Sequence, residues 1–159
     1  MVLKLTAVLN AGKPSVLDAD ALYLLTPDRL DPQTNPTLIL TPHEGELSSL
    51  CSSFDIPVDT KLDRASTLAE VTRTVVFAKG PDTVLASPDG RTVFFPRGSS
   101  WLSTAGTGDV LAGLIASRLA HHGDGMRAAQ EGVWLHHEAA RLAGPGFTAG
   151  DLAETVHLA

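Results

Sequence analysis

The stretch Ser103–Gly113, STAGTGDVLAG, decides how the rest of the chain is read. Gly106 and Gly108 allow a tight left-handed turn, and Val110, Leu111, Leu114 and Ile115 follow at helical spacing. The stretch is therefore a loop that runs into a helix N-terminus. There the first backbone N–H groups lack intrahelical partners and the dipole is positive, which suits an anion such as phosphate. Asp109 stands in the first turn of that helix. Its ordinary reading is a cap or a complement to the dipole; its functional reading is an acid–base group beside an anion pocket. Only the context separates the two.

The context is a chain of 159 residues, 43% of them hydrophobic, enough for a single domain with its own core over residues 1–159. The net charge of −6 and the scattered basic residues exclude nucleic acid as an expected partner. Cys51 is the single cysteine and has no partner for an internal disulfide, which fits a reducing, cytoplasmic setting; we read it as a small buried residue. The longest apolar helical segment, 110–120, is too short to span a bilayer and carries Arg118, so no membrane partner is expected. The opening MVLKLTAVLNAG has Lys4 inside its apolar stretch and fits an amphipathic helix ending at Gly12.

Beyond that helix, PSVLDAD reads as a short strand ending at Asp18 and Asp20, and ALYLL as a helical turn. Pro27, Pro32 and Pro36 mark a loop before the strand TLIL, 37–40, which stops at Thr41-Pro42. A helix starts at His43 or Glu44, and another lies within 59–72. TVVFAKG is a strand ending at Lys79-Gly80, and TVLAS and RTVFF form a hairpin about Pro88-Asp89-Gly90. Helices then fill 109–121 and 124–143, with a short one from Thr148. Strands alternating with helices, then helices alone, predict an α/β sheet covered on its faces. In such sheets ligands collect beyond the carboxyl ends of the strands. LDAD, LTPHEGE and AKGPDT fall at those ends, and with GTGD they are expected to surround one crevice.

The ordered set VLDADAL, LTPHEGEL, FAKGPDTVLAS and WLSTAGTGDVLAGLIASRLA, followed by LHHEAARLA, resembles the ADP- or ATP-dependent NAD(P)H-hydrate dehydratases of the ribokinase-like superfamily. The resemblance implies a three-layer α/β/α sandwich with a mostly parallel sheet, of which this chain looks like the C-terminal part. Family members carry a substantial segment before LDADAL, and Glu44 stands where they usually have Pro. The implied reaction repairs hydrated NADH or NADPH: ADP or ATP phosphorylates the ring hydroxyl, and loss of phosphate regenerates the dihydronicotinamide. By the same resemblance Lys79, Gly80, Pro81, Asp82 and Thr83 hold the AMP part of the nucleotide together with Gly108, while His43 and Asp109 face the hydrated dinucleotide.

That chemistry gives the opening stretch a division of labour. An alcohol attacking a terminal phosphoryl group needs positioning, charge neutralisation and a proton acceptor. Backbone amides of Ala105, Gly106, Thr107 and Gly108 are expected to face the phosphoryl oxygens, with Asp109 as the base. Lys79 pairs with a phosphate, contacts the nucleotide through its stem, or is a solvated strand-end lysine. Mg²⁺ is expected with the nucleotide, although no residue set has a metal-site spacing. His43 is a ligand residue or, with Glu46 three residues on, a helix cap. Asp18 and Asp20 orient a site group or cap the next helix. His136 and His137 face different directions, so one is expected buried and hydrogen-bonded and the other exposed. Arg97 and Trp101 are a substrate wall or loop packing. An unpaired sheet edge is expected to draw the chain into a homo-oligomer. Two other readings stay open: a hydroxymethylpyrimidine or thiazole-alcohol kinase, against which TPHEGE and KGPDT argue, and a truncated nucleotide-binding module that does not catalyse.

Overall fold

A computed structural model describes residues 2–30 and 37–159. Pro32 and Pro36 of the expected loop lie outside the described residues. The chain divides into two compact units, 1–96 and 97–159.

The first unit is built on a five-stranded sheet in the order β1-β2-β3-β4-β5. β1 (Ser15–Leu17), β2 (Leu38–Leu40) and β3 (Val75–Ala78) run parallel, and β4 (Val84–Ala86) and β5 (Thr92–Phe94) continue antiparallel. Parallel neighbours need long crossovers. The β2-to-β3 crossover holds α3 (Glu44–Ser53) and α4 (Lys61–Thr72); α1 (Val2–Asn10) precedes the sheet and α2 (Asp20–Tyr23) follows β1. The antiparallel turn after β4 is closed by Ser87 N–H to the Arg91 carbonyl at 2.9 Å, with Gly90 left-handed at φ 86°. β2, β3 and β4 are buried at every residue and read as near-continuous apolar runs, as parallel-sheet strands do. Leu38, Leu40, Val76, Ala78, Val84 and Ala86 face the helices, packing with Leu22, Leu47, Leu50 and Leu68 in one core. α4 shows how sequence makes this side. The Thr60 hydroxyl caps it by accepting from Asp63 N–H, Ala65, Leu68, Ala69 and Thr72 form its buried stripe, and Arg73 ends it in the left-handed conformation. Burying a leucine such as Leu68 stabilises by about 1.5–3 kcal/mol.

The second unit is helical: α5 (Thr107–His122), α6 (Gly125–Ala143) and α7 (Ala149–Thr155), preceded by a 3-10 turn at Ser100–Ser103. Asp124 and Thr148 cap α6 and α7, and Gly123 ends α5 at φ 74°. α5 buries Leu111, Ile115 and Leu119, and α6 faces it so closely that a methyl group on Gly132 would lie 2.6 Å from Ile115 Cγ1. The expected helices and strands are all present, with α5 beginning two residues before the expected Asp109 because Thr107 and Gly108 are already helical.

Candidate functional site

The carboxyl ends of the three parallel strands are stitched together by their own backbone. Thr41 donates to the Leu17 carbonyl from both N–H (3.1 Å) and hydroxyl (3.2 Å), and Lys79 N–H donates to the Pro42 carbonyl at 2.7 Å. The residues just past β1, β2 and β3 are thereby neighbours. Lys79 Nζ lies 2.7 Å from Asp18 Oδ1 and 4.0 Å from Glu46 Oε2, with both ends of the Lys79–Asp18 pair largely sheltered from solvent. The next residue, Ala19, sits at φ 52°, a strained backbone for a side chain with a Cβ, which sets the course of the chain directly after Asp18. Asp18 therefore orients Lys79, and neither it nor Asp20 caps α2 through a side chain.

His43 caps α3. Its Nδ1 accepts from Gly45 N–H (3.0 Å) and Glu46 N–H (3.2 Å), and Glu46 Oε2 accepts from His43 N–H at 2.8 Å, a reciprocal capping box. Nδ1 thus carries no proton, and Nε2 lies 3.4 Å from Glu46 Oε1 on a side chain that is otherwise exposed. The cap expected from Glu46's spacing is present; it leaves the outer edge of the imidazole available. Glu44, the first residue of α3, is tied to Arg64 on α4.

The Lys79–Thr83 segment is a closed turn. Gly80 adopts φ 152°, Thr83 Oγ1 donates to the Gly80 carbonyl at 2.6 Å and accepts from Gly80 N–H at 3.2 Å, and Pro81 is exposed. Lys61, at the start of α4, reaches under it, with Nζ donating to the Lys79 carbonyl (3.0 Å) and to Asp82 Oδ1 (2.7 Å). That hydrogen bond holds the Asp82 carboxyl below its usual range. The sequence gives no sign of this role for Lys61, because a lysine in the first turn of a helix carries no mark of which loop it will reach.

In the second unit, Gly106 is left-handed at φ 88° and Gly108 is the second residue of α5, so one glycine makes the turn. Ala105 and Gly106 are exposed, Gly108 is half-buried and Thr107 is buried, its hydroxyl donating to the Leu102 (2.7 Å) or Thr104 (2.8 Å) carbonyl. α5 has no side-chain cap. Asp109 is exposed, and its carboxylate makes no hydrogen bond or ion pair among the described residues. The capping reading of this carboxylate therefore fails, while its place in the first turn remains favourable to the dipole. His136 is buried and hydrogen-bonded to the Thr107 carbonyl, whereas His137 is half-buried. Arg97, Ser99 and Trp101 join His137 and Arg141 around an open groove of about 490 Å³.

Among the described residues no group of three His, Cys, Asp or Glu could hold a metal ion, and no helix is long and apolar enough to cross a membrane. Cys51 is buried and free, as expected, and burial pushes its thiol pKa up.

The sequence model for NAD(P)H-hydrate dehydratase matches residues 2–157. The ADP-dependent (S)-NAD(P)H-hydrate dehydratase of Neisseria meningitidis is 39% identical over 152 residues, covering 91% of this chain and 51% of that protein. Among solved structures, the ADP/ATP-dependent NAD(P)H-hydrate dehydratase of Bacillus subtilis, co-crystallized with ATP/Mg²⁺, is similar with a TM-score of 0.78 at 32% identity, covering 95% of this chain and 55% of that one. A ribokinase-like superfamily protein of Enterococcus faecalis has the same fold, with a TM-score of 0.78 at 21% identity over 99% of this chain and 58% of that one. The chain spans about half the length of these relatives.

Proposed function

Because the chain belongs to the NAD(P)H-hydrate dehydratase family, we propose that it takes part in the ADP- or ATP-dependent dehydration of hydrated NADH or NADPH. The observation that carries this reading is Asp109: a carboxylate in the first turn of an uncapped helix, behind a left-handed glycine, with no structural partner of its own.

In the reaction, the ring hydroxyl of the hydrated dinucleotide attacks the terminal phosphoryl group, the bond from that phosphorus to the nucleotide oxygen breaks, and Asp109 takes the hydroxyl proton. The N–H groups of Ala105, Gly106 and Gly108 stabilise the charge on the transferring oxygens, the Thr107 N–H being donated instead to the Thr104 carbonyl at 3.3 Å, and the exposed left-handed Gly106 lets them come close. Phosphate then leaves from the ring carbon, pushed by the ring nitrogen's lone pair, and loss of a ring proton restores the dihydronicotinamide. The turn Lys79–Thr83 holds the AMP part of the nucleotide. Asp18 already neutralises the Lys79 ammonium, which supports contact through the lysine stem rather than a free charge on phosphate. His43 offers its outer imidazole edge to the dinucleotide.

Mg²⁺ fits as an ion carried by the nucleotide phosphates, since the described residues form no cage of their own; bound there, it neutralises phosphate charge. We also assign the protein to the cytoplasm, in keeping with its reduced Cys51, and to a homo-oligomer, in keeping with the outer edge of β1, which no described strand covers. Sedimentation that returns a single monomer refutes the oligomer.

The deciding experiment incubates the protein with chemically prepared NADH hydrate, Mg²⁺ and ADP or ATP, and follows the return of dihydronicotinamide absorbance. Recovery should require nucleotide and fall by about 10²–10⁴-fold in Asp109→Asn. No recovery in the wild-type chain, or undiminished recovery in the variant, overturns the reading.

A further inference from the structure

We infer that His136 is a positioning residue for the phosphate-facing loop, fixing through one hydrogen bond the backbone that carries Gly106 to Asp109; this rests on the function proposed above. His136 lies on α6, and its Nε2 is 2.9 Å from the carbonyl oxygen of Thr107, the first residue of α5. A carbonyl only accepts, so Nε2 carries the proton and Nδ1 is bare.

The bond matters because of where it falls. Gly106 has no side chain with which to cap α5, so the helix start lacks the usual local anchor. Its substitutes come from elsewhere. The Thr107 hydroxyl folds back onto the Leu102 or Thr104 carbonyl, and His136 holds the Thr107 carbonyl from the other side. The two bonds fix Thr107 at both its side chain and its peptide group, directly before Gly108 and Asp109. One turn earlier on α6, Gly132 lets the helix come within contact of the Ile115 backbone, 3.1 Å from where its Cβ would be, and this close approach brings His136 within reach. The next residue, His137, packs at the entry of the same loop, where a methyl group on Gly98 would meet its Nε2 at 2.7 Å. The adjacent histidines thus grip both ends of the loop. Burial holds the His136 pKa down to about 4, so the imidazole stays neutral and keeps a single donor.

The geometry distinguishes two amide replacements. Glutamine places an N–H donor where Nε2 stands, whereas asparagine carries the same group one bond short of Thr107. In the proposed reaction His136→Asn should lose kcat by about 10²-fold with little change in the dinucleotide KM, and His136→Gln should recover most of that loss. Hydrogen exchange at the amides of Thr107, Asp109 and Val110 should quicken in the asparagine variant alone. Nitrogen NMR of the unmodified protein should find the His136 proton on Nε2. A proton on Nδ1, or loop exchange and kcat unchanged in His136→Asn, overturns the inference, as does a glutamine variant as slow as the asparagine one. If the wild-type chain proves inactive on hydrated NADH, the proposed reaction fails, while tautomer and loop exchange still decide the role of His136.

Discussion

Lowering the pH through the range in which free histidine titrates should destabilise the second unit through His136. Its pKa falls from 6.5 to about 4 because burial penalises the imidazolium, against the weaker opposing pull of the Thr107 carbonyl. The unfolded chain takes up a proton below 6.5, the folded chain only near 4, so between those values the unfolded state binds more protons and stability declines as pH falls. The stabilisation is fully present above about 6.5 and gone by about 4. A gap of roughly two and a half units corresponds to about 3 kcal/mol, a large share of a small domain's stability. The assay is urea unfolding followed by tryptophan fluorescence, since both tryptophans, Trp101 and Trp134, lie in the same unit as His136. His136→Gln serves as reference because it keeps a donor and does not titrate. The His137 pKa is also lowered by burial and acts in the same direction, but it is common to both proteins and cancels in the difference. The wild type should lose about 3 kcal/mol more than the variant on going from about pH 7 to about pH 4. Parallel pH dependences refute the argument.

Three further outcomes follow from contacts already described. Gly132→Ala puts a methyl group against Ile115 and should cost about 1–3 kcal/mol in urea unfolding, with no loss if the helices are farther apart than described. A double-mutant cycle with Asp18→Asn and Lys79→Met should return a coupling of about 1–3 kcal/mol, and a coupling near zero would mean that the pair is solvated. Lys61→Met frees the Lys79–Thr83 turn and should weaken ADP binding by about tenfold in calorimetry, near 1.4 kcal/mol; unchanged affinity would show that the turn holds without it.

The elements of this fold were readable because each carries local signals. Asp124 and Thr148 stand where caps belong, and the His43–Glu46 spacing announces a capping box that is present in full. The parallel order of β1, β2 and β3 follows from strand–helix alternation. The partners of the site residues were less legible. Nothing local says that Lys79 meets Asp18 rather than Asp20, because that choice is made by strand register and by the strained backbone of Ala19. Lys61 and Gly132 act through close approach of elements distant in sequence, which periodicity does not encode. The pair Gly106 and Gly108 suggests a turn at both, because a Gly-x-Gly pattern does not reveal which glycine has positive φ; helix propagation from Thr107 claims the second.

The tether from Lys61 also bears on the entropy of recognition. A glycine-containing turn left to itself samples many conformations, and a ligand that selects one must oppose that freedom at the moment of contact. Here the turn is closed on itself by Thr83 and held from below by a lysine rooted in α4, so its conformational freedom is surrendered when the first unit folds. In the function proposed above, a nucleotide landing on this turn would meet a preorganised surface, and its residence there would depend on the contacts made rather than on the cost of ordering the chain.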